Sequence, residues 1–271
     1  MAHSADPKKK RNMSYALTNW KLIRIHGRDP VQLMQGQTTV DAKKLQEGRG
    51  VNGALCTPKG RMVANFGMAI FEGDIWLSLP ADRVEAVQTA LSRFLPFFGC
   101  ELSVTDYQGA GSDAPMDAPI VIDLDGLFEN WFPQAVEAGP GWEAQRISKG
   151  LGWIDTHSDE AFTPQQLHLQ SLGGISFTKG CYTGQEVIAR TEHLGQVKKS
   201  LVPVSLSQAC PPQDLFVDER KVGFLLNTAG DQGLAILGGE VEQCQTSDGV
   251  NITREALPYE IVSPIKSRQS R

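Results

Sequence analysis

The fold class that the sequence predicts is α+β, ending in a small antiparallel β-barrel. Three observations point to it. Strand-forming runs between residues 53 and 79 follow one another across short turns, as in an antiparallel meander. An amphipathic helix pattern comes next, with Val84, Val87, Leu91 and Leu95 at steps of three or four. Beyond residue 214 the chain breaks into short apolar runs between Gly-rich turns, which suits a small barrel.

At 271 residues the chain is long enough for about two domains and needs no disulfide or metal to bury a core. Its 41% hydrophobic and 21% charged content excludes collagenous, mucin-like and wholly disordered classes. No apolar run is long enough to span a bilayer, and the first residues lack the apolar centre of a secretory signal. A net charge of −5 provides no bulk attraction to nucleic acid, so direct nucleic-acid binding is not expected. The basic run Lys8-Lys9-Lys10-Arg11 reads as part of a solvated tail over residues 1–18. Five scattered cysteines without a signal peptide read as reduced thiols in a cytoplasmic protein.

Taken in order, Trp20 to Ile25 form a strand, followed by a helix capped at Asp29, opened by Pro30 and ended by Gly36. The meander has its breaks at Pro58-Lys59-Gly60 and Glu72-Gly73-Asp74, and Pro96 and Gly99 close the helix after it. Residues 108–119, rich in Gly, Ala, Pro and Asp, read as a linker between a lobe at 19–107 and a second α+β segment at 120–200. In that segment Thr163 and Gln166 form a capping box for a short helix that Gly173-Gly174 ends. Thr183 and Glu186 form another, opening a helix that runs to Gly195. Residues 207–214 are a second linker candidate, and the barrel at 201–271 takes strands at 221–226, 234–237 and 259–262.

Common chemical motifs are missing. There is no C-x-x-C pair, no His pair at i, i+4, and no G-x-S-x-G, Walker or dinucleotide loop, so no metal site is expected. The informative stretch is Phe177 to Glu186. With Thr183 as cap, Cys181 stands just before a helix start, whose positive end favours a thiolate, and Lys179 adds charge from two residues away. Gly180 and Gly184 allow close approach of backbone or ligand. Against this stands the reading of Cys181 as a small buried apolar residue. Glu186 and Arg190 are either a surface i, i+4 pair or part of the site. Trp20 and Trp142 are either core aromatics or a stacking wall for a flat ring system.

The segment LGGISFTKGCYTGQEVIAR resembles the signature of the YgfZ-type folate-binding proteins, with core pattern K-G-C-Y-x-G-Q-E. Leu22 to Ile25 with Gly27, Asp29 and Gln35-Gly36-Gln37-Thr38 is similar to that family's N-terminal block, and Cys56 to Arg61 to its C-D-x-K-G-K turn. The resemblance implies aminomethyltransferase-like folate-binding lobes with a C-terminal antiparallel β-barrel, related to the aminomethyltransferase of the glycine cleavage system. It implies tetrahydrofolate or a derivative as cofactor, and iron–sulfur cluster enzymes, including those that methylthiolate tRNA, as protein partners. Carried over by position, Trp20 and Trp142 contact folate. Lys179 and Cys181 are the reactive pair, and Gly180, Tyr182, Gly184, Gln185, Glu186 and Arg190 complete the signature loop. The sulfur is expected ionised and reachable at the mouth of the folate cavity. One departure is that residues 107–142 are shorter than in the family, with the linker where strands and a helix are expected. Two alternatives stand beside this reading: a folate-dependent aminomethyl transferase, which needs a base that spacing does not single out, and a non-catalytic docking module.

Overall fold

The computed structural model describes residues 13–195 and 197–262. The basic run Lys8 to Arg11 lies outside the described residues. The end of the predicted tail is structured: Tyr15–Ala16 form strand β1, and Tyr15 is buried.

The meander forms as the sequence predicts. Strand β2 (Trp20–Gly27) leads through helix α1 (Pro30–Gln37) to β3 (Arg49–Cys56), β4 (Met62–Phe71) and β5 (Asp74–Pro80). Helix α2 (Val84–Ser92) follows, then a 3-10 turn at Leu95–Phe98 that Gly99 ends in the left-handed region at φ +59, and then β6 (Cys100–Val104).

Residues 108–119 are not a linker. Gln108–Ser112 form β7, which pairs with β1 and with β9 (Phe128–Phe132), and β8 (Ile120–Asp123) joins β9 to β3. The glycines that read as a loop are there for close packing. A Cβ on Gly111 would stand 2.1 Å from the Trp142 ring, and one on Gly109 2.9 Å from Leu17. The short 107–142 region thus supplies three strands to a nine-stranded sheet ordered β1-β7-β9-β8-β3-β4-β5-β2-β6.

Both faces of this sheet are covered, and β2 shows how. Ile23 and Ile25 point into a core with Leu33 and Met34 of α1 and Val87 and Leu91 of α2. Trp20 and Leu22 point to the opposite core, shared with helix α3 (Trp142–Ser148) and helix α4 (Gln185–Leu194).

Six further strands, β10 (Lys199–Leu206), β11 (Gln213–Val217), β12 (Arg220–Ala229), β13 (Gln232–Gly238), β14 (Gln243–Thr246) and β15 (Asn251–Arg254), close into an antiparallel barrel. Leu201, Leu226, Leu234 and Ile236 on its outer wall join the second core, and Val202, Val204, Leu215 and Leu225 fill its inside. Of the second linker candidate, residues 207–212 connect β10 to β11 within the barrel, and Gln213 and Asp214 already belong to β11. Residues 259–262 are not a strand. Instead the Tyr259 hydroxyl donates to the Gly150 carbonyl and meets His168 Nδ1, tying the chain back against the core.

Candidate functional site

The Cys181 loop is built from the residues on either side of the thiol. The backbone N–H of Ser176 donates to Thr39 O, and the Thr39 hydroxyl donates to Gly174 O. Lys179 is buried. Its ammonium donates to Thr38 O (2.7 Å) and Val40 O (2.5 Å) and lies 4.9 Å from the Tyr182 ring centre. Past the cysteine, the Thr183 N–H donates to Gly36 O and its hydroxyl to Gln37 Oε1 at 2.9 Å. Cys181 itself is exposed, so the buried-thiol reading does not hold.

Two details differ from the expected activation. Thr183 does not cap α4. The residue before the helix is Gly184, left-handed at φ +86, where a Cβ would stand 2.7 Å from Thr57 O. That approach seats the helix on the turn after β3, with Gly60 facing Val187. Cys181 is therefore four residues ahead of the helix. The Lys179 charge, for its part, is directed at carbonyls and an aromatic ring. Burial pulls its amine down to about 8, with Asp41 opposing the shift. A Cβ on Gly180 would meet nothing within 4 Å, so that position is open toward solvent. Tyr182 is buried under the loop, which raises its phenol pKa, and the neighbouring Cys56 thiol is pushed up to about 12 by burial. Glu186 and Arg190 are exposed on α4, and Gln185 is half-buried.

Trp20 and Trp142 do meet, edge to face, with ring centres 6.4 Å apart. Trp153 completes the cluster at 5.4 Å from Trp20. At its centre lies Arg146, whose guanidinium carbon is 5.4, 5.9 and 5.7 Å from the rings of Trp20, Trp142 and Trp153. Arg146 Nη1 donates to Glu129 Oε1 at 3.0 Å, and both side chains are buried. Burial raises the Glu129 pKa and lowers that of Arg146, and each partner opposes the other's shift. Among the described residues, Arg146 Nε and the Trp142 indole nitrogen have no hydrogen-bond partner.

A cavity of about 360 Å³ opens beside this cluster, walled by Trp20 and Trp153 and edged by Asn19, Asp82, Glu143 and Asp155. Each carboxylate is oriented by a local hydrogen bond: Asp82 accepts from Thr156 N–H, Glu143 from the Asn19 amide and Asp155 from His157 N–H. Trp142 is fully buried behind Trp20 and does not line the cavity. Neither Lys179 nor Cys181 lines it either, so the thiol does not stand at the mouth of this cavity. Sequence reasoning missed Glu129, Arg146 and Trp153. The available signal was an arginine on the same helix face as Trp142, at i, i+4.

Among the described residues no group of three or more His, Cys, Asp or Glu is placed to hold a metal ion, and no helix is long and apolar enough to cross a membrane.

No family model matches the chain. It is 31% identical over 240 residues to the tRNA-modifying protein YgfZ of Hamiltonella defensa, covering 73% of this chain and 71% of the relative. The protein of the same name from Klebsiella pneumoniae is 28% identical, with 73% and 72% covered, and that from Escherichia fergusonii 29%, with 68% and 69% covered. Among solved structures, the glycine cleavage system aminomethyltransferase T of Bartonella henselae superposes with a TM-score of 0.66 at 12% identity. The match covers 93% of this chain and 87% of that one.

Proposed function

The chain belongs to the family of tRNA-modifying YgfZ proteins, and from that premise we propose that it is a folate-dependent accessory protein for iron–sulfur enzymes, including those that methylthiolate tRNA. The observation that carries this reading is an exposed Cys181 on a loop fastened on both sides, which presents the thiol to a partner protein instead of enclosing it. All five cysteines are unpaired, which supports a reducing, cytoplasmic setting.

The residues beside the cavity fit a folate. A pterin is flat and has an edge of N–H donors, and the cavity provides indole walls with the carboxylates of Asp82, Glu143 and Asp155 as acceptors. In this reading Trp20 and Trp153 stack on the ring, and Trp142 holds Trp20 in place. When bound, the folate supplies a nitrogen that can carry a one-carbon unit. Isothermal titration of the full chain with tetrahydrofolate and with its formyl derivative tests this. Saturable one-to-one binding supports the reading, and no heat at millimolar folate removes the folate part of it.

One observation favours a second reading, a one-carbon transferase. That reaction needs a base, and the fold gathers three carboxylates at one cavity although they are scattered in sequence. Turnover of methylene or formyl folate by the purified protein would decide for it.

A further inference from the structure

Segment 36–40 and the loop before α4 are joined by a closed set of hydrogen bonds. Carbonyls 36 and 39 receive backbone N–H groups from Thr183 and Ser176, and carbonyls 38 and 40 both receive the Lys179 ammonium. Thr39 locks the arrangement to the sheet: its N–H donates to Ala54 O, and its hydroxyl accepts from Ala54 N and donates to Gly174 O. Four of the five carbonyls of segment 36–40 are thus satisfied by one loop, and Lys179 serves two of them.

We infer that Lys179 is a positioning residue: it clips the Cys181 loop to residues 38–40 through N–H donation and does not activate the thiol by its charge. This deepens the reading given above and rests on Cys181 being the functional group. Lys179 spends two of its three N–H bonds on Thr38 and Val40, and its charge faces the Tyr182 ring. Asp41 is the acidic group on its side, and that carboxylate is held by Gln35 and Lys44. Thr183, bonded to Gly36 and Gln37, is the matching clip beyond the cysteine. The thiol therefore sits on a short span between two anchored points, exposed but fixed in place.

Two roles for Lys179 make opposite predictions, and Lys179→Met and Lys179→Gln separate them, because Gln keeps N–H donors without the charge. If the lysine is a clip, hydrogen exchange at the Ser176 and Thr183 amides accelerates about tenfold or more in Lys179→Met and less in Lys179→Gln. The apparent pKa of Cys181, read from the pH profile of its alkylation by iodoacetamide at the peptide level, stays at the wild-type value in both. If the lysine is an activator, exchange is unchanged, and in both variants alkylation near neutral pH falls about tenfold with a raised apparent pKa. That result overturns the inference. Should Lys179→Met fail to fold, Lys179→Gln alone carries the test: alkylation that falls about tenfold near neutral pH with a raised apparent pKa overturns the inference, and alkylation at the wild-type pKa supports it. Cys181→Ser is run beside them in a complementation assay. Full activity of that variant removes the functional reading of the thiol and leaves the exchange result intact.

Discussion

Replacing Arg146 with Met removes the cation from the centre of the tryptophan cluster and leaves Glu129 alone in the core. At the observed 3.0 Å, the lost attraction is about 5.5 kcal/mol with an effective dielectric constant of ~20. Part of that is returned, because the arginine no longer has to be desolvated. Breaking one side of a buried pair typically costs about 3–5 kcal/mol, a large share of the ~5–15 kcal/mol that holds a domain folded. The double variant Glu129→Gln/Arg146→Met removes both charges and regains most of the loss, since neutral replacements of buried pairs are often tolerated. Urea unfolding at neutral pH, followed by the fluorescence of the clustered tryptophans, measures both. The pH dependence has a definite sign. Burial raises the Glu129 carboxyl pKa, and loss of Arg146, which opposes that shift, raises it further. The folded single variant then keeps a proton that the unfolded chain releases, so its penalty grows as pH rises above the ordinary carboxylate range and shrinks on acidification. A single variant within about 1 kcal/mol of wild type, or a double variant no better than the single, would refute this account of the cluster.

Gly111→Ala places a Cβ 2.1 Å from the Trp142 ring and should destabilise by about 1–3 kcal/mol in the same urea assay. His168 is buried and its pKa is lowered by burial to about 4. Because the unfolded chain binds that proton near pH 6.5, stability falls as pH drops from about 6.5 to about 4, by roughly 3 kcal/mol, and His168→Gln should flatten this part of the curve. Trp153→Phe keeps an aromatic wall at the cavity and should weaken tetrahydrofolate binding about fivefold to tenfold in titration calorimetry without abolishing it.

The Gly- and Pro-marked turns made the meander and two of the three expected barrel strands legible, and helical periodicity did so for α2, although that helix ends at Ser92 and Leu95 falls in the 3-10 turn after it. Start signals were legible in part. The Thr163 capping box forms, but it opens only a 3-10 turn at Pro164–Leu167, which His168 ends in the left-handed region. Thr183 has the same pattern, yet its side chain goes to Gln37, and Gly184 sets the start of α4. Glycine was ambiguous: at 109 and 111 it marks a strand that large side chains approach closely, which local composition cannot distinguish from a linker. Lys179 and Cys181 were visible as a motif, but the direction of the ammonium depends on carbonyls 139 and 141 residues away. Glu129 and Arg146 become a pair only once β9 and α3 pack together.

The role of the thiol that the loop presents can be measured in a bacterial strain lacking its own YgfZ. The fraction of methylthiolated tRNA nucleosides, quantified by mass spectrometry, should return with the wild-type chain. It should stay at the level of the uncomplemented strain with Cys181→Ser, while the exposed substitution leaves the melting temperature within about 1 °C of wild type. Full recovery with the serine variant would contradict the account.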